Sequence, residues 1–143
     1  MDWLFERSFM KDKTILIVED DKDISLALSV RLISHGYTTL TAPDAGSAIQ
    51  MAAMKKPDLI LLDLGLPDSN GFIVMEIVSQ LKFAAKVPVI VVSARPAEVY
   101  REAAILAGAK DYFQKPFDND ALLKAIERET GEEPPLLVDY ASY

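Results

Sequence analysis

The chain has 143 residues, half of them hydrophobic, with 15 basic and 22 acidic side chains and a formal net charge of −7. That length suits one domain, the apolar fraction excludes a disordered chain, and the acidic balance argues against a surface for nucleic acid or an anionic membrane. Cysteine is absent, which excludes disulfides, thiolate metal sites and a cysteine nucleophile; His35 is the single histidine, so polyhistidine metal sites are excluded too. Chemistry here must run through carboxylates.

Residues 1–13 carry Trp3, Leu4, Phe5 and Phe9 but also Asp2 and Glu6, and they lack the unbroken apolar run of a signal peptide. They are read as an N-terminal extension. The first strand is Thr14–Val18, followed by a helix with Ile24, Ala27, Leu28 and Leu32 on one face and Gly36 as its stop. A second strand at 37–41 precedes a helix lined by Ala45, Ala48, Ile49 and Ala52, closed by Pro57. The third strand, Leu59–Leu62, leads to a helix with Ile73, Ile77, Val78 and Leu81. The fourth, 87–92, leads to one with Val99, Ala103 and Leu106, ending at Gly108. The fifth, 110–113, leads to one with Leu122, Ala125 and Ile126. These assignments rest on apolar spacing and on breakers.

The first, third and fourth strands are almost continuously apolar, as strands covered on both faces must be. Strand and helix alternate five times, which predicts an α/β fold: a doubly wound five-stranded parallel sheet with five helices. The repeat fills residues 14–129, leaving 130–143, with Pro134 and Pro135, as a C-terminal tail or truncated linker. No run approaches the roughly 18 apolar residues of a membrane span, and a cytoplasmic protein is expected.

Ligands of open α/β sheets bind beyond the carboxyl ends of the strands. Those positions hold Glu19, Asp20 and Asp21 after the first strand and Asp63 after the third, then Ser93 after the fourth and Lys115-Pro116 after the fifth. Glu19, Asp20 and Asp63 in one pocket cannot all stay ionised without a cation. An all-oxygen set without His or Cys selects a hard ion, and Mg²⁺ fits. A dinucleotide or flavin site is excluded, because the acidic first loop repels phosphate. With Mg²⁺ present, Asp63 can act as a carboxylate nucleophile toward a phosphoryl group. Lys115 would neutralise the developing oxygen charge, and Ser93 would hydrogen-bond a phosphoryl oxygen.

Each residue also has an ordinary structural role. Asp21 and Asp23 suit the cap and first turn of a helix. Asp63 could merely end a strand, Ser93 could be a strand-end hydroxyl, Lys115-Pro116 a turn and Tyr112 a core residue. His35 sits at a helix end and is assigned no chemistry. The argument rests on five residues falling at the right ends of the right strands.

Four segments carry a resemblance: TILIVEDD at 14–21, PDLILLDLGLPDSNG at 57–71, VPVIVVSAR at 87–95 and GAKDYFQKPF at 108–117. Residues 14–129 resemble the receiver domain of bacterial two-component response regulators. The resemblance implies the flavodoxin-like strand order 2-1-3-4-5. It implies a phosphorylation-controlled switch, not an enzyme acting on other substrates, that accepts a phosphoryl group on Asp63 from a sensor histidine kinase or phosphotransfer protein. It makes Glu19 and Asp20 the acidic metal pocket and the Gly65 carbonyl a further Mg²⁺ ligand. Ser93 becomes the switch hydroxyl, Tyr112 the switch aromatic and Lys115 the phosphate-sensing lysine. It further implies a cis Lys115–Pro116 peptide, an inward swing of Tyr112 on phosphorylation, and signalling through the fourth helix, fifth strand and fifth helix to a downstream output domain or protein. Direct nucleic-acid or membrane binding by this chain is not expected.

The sequence departs from the family pattern at Gly65, where a larger side chain is common; Arg95 then becomes the main side chain able to cover the acceptor. Ala121 and Ala125 stand where receivers of winged-helix transcription factors carry charged dimer-bridging residues. A haloacid-dehalogenase-like phosphatase would need a second acid two residues after the nucleophile, and that position is Gly65. A scaffold-only receiver would be expected to lack the acceptor or the lysine, yet Asp63 and Lys115 are both present.

Overall fold

The computed structural model describes residues 12–82 and 84–131. Most of the extension at 1–13 and of the tail at 130–143 lies outside them. Five strands, β1 (Thr14–Val18), β2 (Thr38–Ala42), β3 (Leu59–Leu62), β4 (Val89–Ser93) and β5 (Asp111–Gln114), alternate with five helices. The helices are α1 (Lys22–Ser34), α2 (Ala45–Lys55), α3 (Gly71–Ser79), α4 (Ala97–Leu106) and α5 (Asn119–Thr130). All strand pairs are parallel, in the order β2-β1-β3-β4-β5. The flavodoxin-like expectation holds.

Alternation along each strand sorts the core into two layers. Ile15, Ile17, Leu59, Leu61, Ile90 and Val92 face α1 and α5, whereas Leu16, Val18, Ile60, Leu62 and Val91 face α2, α3 and α4. Strand boundaries move by one or two residues. Tyr37 stays outside β2 because its N–H bonds Leu32 at the end of α1, and Val87 belongs to a turn, its N–H bonding Ala84.

Helix faces differ more. In α1, Ala27 is exposed and Ser25 is buried in its stead. In α3 the buried residues are Gly71, Val74, Met75 and Val78, not Ile73 and Ile77. The reason is at its first turn: a Cβ on Gly71 would sit 2.7 Å from the Asp63 carbonyl oxygen and 2.9 Å from Leu64. Close approach there sets the rotation of the helix. In α4 only Ala104 is buried, with Ala97 and Tyr100 partly so, while Val99 and Leu106 are exposed. Arg101 sets that rotation by reaching β5, where its guanidinium donates to the Tyr112 carbonyl and to Asp111, both at 3.0 Å.

Helix starts follow the expected chemistry. Asp21 caps α1, accepting from Asp23 and Ile24 N–H; Asp44, Asn70 and Asp118 cap α2, α3 and α5. Gly36 and Gly108 take positive φ at the ends of α1 and α4, a conformation glycine adopts without a Cβ penalty. Lys56, before Pro57, ends α2 with a left-handed φ of 48°.

Candidate functional site

The carboxyl ends of the strands gather the residues named from the sequence. Glu19 and Asp20 follow β1, Asp63 follows β3, Ser93 ends β4 and Lys115 follows β5. Glu19 and Asp63 are buried and Asp20 is exposed, yet one carboxylate oxygen from each lies within 4.8 Å of the others. Like charges this close repel strongly, so a counter-charge is required.

Lys115 supplies part of it. Its ammonium donates to Asp63 Oδ2 at 3.2 Å and to Glu19 Oε1. The Gly65 N–H donates to the other Asp63 oxygen at 3.1 Å, and the Asp21 N–H to Glu19 Oε2 at 3.3 Å. Burial and the Asp63 charge hold the Glu19 carboxyl above its ordinary range despite the bond from Lys115. Burial alone would depress the Lys115 ammonium, but Glu19 and Asp63 together raise it. Lys115 is therefore held firmly cationic between two carboxylates, a fixed positive charge at a water-poor site. The donor set that remains is all oxygen, the chemistry of a hard divalent cation such as magnesium.

Ser93 is buried, and its hydroxyl accepts from the Arg95 N–H at 3.2 Å. Tyr112 lies beside it. The ring is 3% exposed and its hydroxyl donates to the Arg95 carbonyl at 2.7 Å. Burial raises the Tyr112 phenol, and the neighbouring Ser93 hydroxyl offsets part of that rise. The aromatic occupies the interior, where it completes the α4 side of the core, in keeping with the reading of Tyr112 as a core residue. Arg95, two residues past Ser93, turns its side chain toward α4. Its guanidinium stacks on Tyr100 of α4, 5.3 Å from the ring centroid, because an aromatic face attracts a cation. Gly65 is exposed with only Asp63 Oδ1, at 4.0 Å, near a would-be Cβ. The Lys115–Pro116 peptide is cis, as the resemblance implies.

The described residues also show what spacing alone missed. Gly71 presses α3 against the backbone of Asp63 and so positions the loop after β3. Asp68, in the same loop, accepts from the Ala45 and Gly46 N–H groups at 2.8 and 3.1 Å, which holds its carboxyl below the usual range. The Asn-Gly pair at 70–71 is the only local signal for the first; nothing local marks the second.

Comparison with known proteins agrees with this geometry. The response regulator receiver domain family matches residues 15–127. The transcriptional regulatory protein KdpE of Escherichia coli is 45% identical over 103 residues, 72% of this chain and 44% of that protein. KdpE of Mycobacterium tuberculosis is 36% identical over 133 residues, 87% of this chain and 58% of that protein. The chain thus spans about half the length of these relatives. Protein PilH of Pseudomonas aeruginosa is 34% identical over 78% of this chain and 93% of its own length. Among solved structures, the receiver domain of sensor histidine kinase PA1611 from Pseudomonas aeruginosa, with magnesium coordinated in its active-site cleft, superposes with a TM-score of 0.77. It is 29% identical and covers 85% of this chain and 99% of that one. Strand order, a carboxylate cluster bridged by a lysine, and these matches lead to one conclusion: the chain belongs to the response regulator receiver domain family, the phosphorylation switches of two-component signalling.

Proposed function

We propose that Asp63 is the phosphoacceptor and that a histidine kinase or phosphotransfer protein is the donor. The observation that carries this is the Lys115 ammonium shared between Asp63 and Glu19 at the strand ends. In the transfer, an Asp63 carboxylate oxygen forms a bond to phosphorus while the phosphorus–nitrogen bond of the donor phosphohistidine breaks and the imidazole leaves. Glu19, Asp20, Asp63 and the Gly65 carbonyl would hold Mg²⁺, which would supply neutralisation of negative charge on the phosphoryl oxygens. Lys115 pairs with a second phosphoryl oxygen, and Ser93 turns its hydroxyl from the Arg95 N–H toward a third. This movement frees the Arg95 backbone, whose carbonyl already receives Tyr112. The change is then read on α4, β5 and α5, within 95–129, by a downstream domain or protein partner. We place this module, residues 14–129, in the cytoplasm, without a nucleic-acid or membrane surface of its own.

The test is intact mass before and after acetyl phosphate with Mg²⁺. The parent should gain one phosphoryl group and Asp63→Asn none. A parent that gains nothing, or a variant that gains the same group, overturns the assignment.

A further inference from the structure

The turn that begins α2 is bonded to both loops that carry the proposed metal ligands. On one side the Glu19 N–H donates to the Ala42 carbonyl at 3.0 Å. On the other, Asp68 spans the first two amides of the helix. Its Oδ1 accepts from the Ala45 N–H at 2.8 Å and its Oδ2 from the Gly46 N–H at 3.1 Å. A helix leaves its first amides without intrahelical partners. The Asp44 carboxylate serves the third, Ser47, at 2.8 Å, so two aspartates divide the amides of that turn between them. The positive end of the helix dipole favours the Asp68 charge as well.

Asp68 lies at the tip of a short hairpin. Gly65 and Asn70 form an antiparallel bridge, the Gly71 N–H donates to the Leu64 carbonyl at 3.0 Å, and Asn70 caps α3. Leu64 and Leu66 are buried and seat the base of the hairpin in the core. Gly65 is exposed and has no side chain to hold its own place. Its backbone is therefore set by Asn70 across the bridge and, at the tip, by the reach of Asp68 to α2. Because the same turn of α2 fixes Glu19, the Asp68 bonds gauge the spacing between the loop after β1 and the loop after β3.

We propose that Asp68 is a positioning residue for Mg²⁺: by clamping the hairpin to α2 it holds the Gly65 carbonyl at the spacing from Glu19 and Asp20 that the ion requires. This rests on the metal-site reading above, in which the Gly65 carbonyl is a ligand. Mg²⁺ demands near-octahedral geometry, so its affinity is sensitive to ligand spacing. Groups that orient ligands without touching the ion change affinity for it.

The test is calorimetric titration with MgCl₂ of the unphosphorylated parent, Asp68→Ala, Asp68→Asn and Asp44→Ala. Kd should rise about three- to tenfold in Asp68→Ala, and by less in Asp68→Asn, which keeps one acceptor oxygen. Asp44→Ala strips the same helix turn without releasing the hairpin, and should leave Kd unchanged. The Asp68→Ala loss should persist in about 0.5 M KCl, where exposed charges are screened within a few ångströms. In the metal-free parent the Ala45 and Gly46 amides should be protected from exchange, and Asp68→Ala should remove that protection. The inference is overturned if Asp68→Ala binds as tightly as the parent, or if Asp44→Ala loses as much affinity. It is overturned too if alanine and asparagine at position 68 lose equally and high salt abolishes the loss, which would be charge alone. Unprotected Ala45 and Gly46 amides in the parent overturn it without any variant, so misfolding of a variant cannot shelter it. A parent that binds no Mg²⁺ overturns the metal site itself and this inference with it; a parent that binds while Asp68→Ala binds equally overturns the inference alone.

Discussion

Helices α2 and α4 lie in the same layer and are held there by different forces. α2 buries Ala45, Ala48 and Ala52, is capped by Asp44, and has its first two N–H groups bound by Asp68 from the acceptor loop. α4 buries Ala104 alone, has Pro96 at its N-cap with no side-chain hydrogen bond, and leaves Val99 and Leu106 in water. Polar ties to β5 hold it instead: the Ala97 N–H donates to Gln114 at 2.8 Å, and Arg101 forks onto Tyr112 and Asp111. Close packing resists displacement because many small contacts fail together, whereas exposed ion pairs contribute at most about 1 kcal/mol. One helix anchors the Asp63 loop; the other is held by ties that cost little to break, which suits the output role proposed for it.

Breaking the anchored side should give the largest effect. Gly71→Ala forces a Cβ against the Asp63 carbonyl, and overpacking of this kind costs about 1–3 kcal/mol. Denaturant midpoints should fall accordingly, and phosphorylation by acetyl phosphate should slow because the acceptor backbone is displaced. A variant as stable and as reactive as the parent would show that α3 does not position Asp63.

Gly65→Met leaves the anchor intact and tests the open space above the acceptor, so it separates access from mobility. Its Cβ meets only Asp63 Oδ1 at 4.0 Å, and Arg95 is engaged with Tyr100. At saturating Mg²⁺ the phosphorylated lifetime should lengthen about threefold to thirtyfold, or roughly 0.7–2 kcal/mol of barrier. Equal decay rates would refute the access argument, and a change confined to Mg²⁺ affinity would assign Gly65 to the metal loop alone.

A direct contest follows between the two helices. Asp44→Ala, which removes the cap of α2, should lower global stability by about 1 kcal/mol. Arg101→Ala should change global stability by less than about 1 kcal/mol while speeding amide exchange in α4 and leaving α2 protected. If both helices exchange alike in Arg101→Ala, the polar ties are not what holds α4.

The smallest effect is alkaline. Tyr37 and Tyr112 are both buried and both phenols are raised, chiefly by burial. Their folded states resist ionisation, so their contribution to stability is complete below the ordinary tyrosine value of about 10 and is lost as pH climbs beyond it. Tyr112, beneath α4, should ionise through local opening before Tyr37 does. Simultaneous ionisation with global unfolding, followed by tyrosine absorbance, would mean α4 opens no more readily than the rest.

How far this was legible from residues alone depends on the range of the interactions concerned. β1 and β3 were readable to the residue, because strands covered on both faces are apolar at every position. Asp63, Glu19, Asp20, Ser93 and Lys115 were readable as a group, since a parallel sheet brings all carboxyl ends of its strands to one edge. Asp21 was readable as a cap because its partners, Asp23 and Ile24, are local in sequence. The rotations of α3 and α4 were not, since they depend on Gly71 meeting the Asp63 backbone and Arg101 meeting β5. Likewise Asp68 binds α2 across 23 residues, and the bond from the Tyr112 hydroxyl to the Arg95 carbonyl spans 17. Local spacing and strand-end chemistry were determined by the sequence itself; tertiary contact decided which face each helix shows, because side chains far apart in the chain compete for the same space and charge.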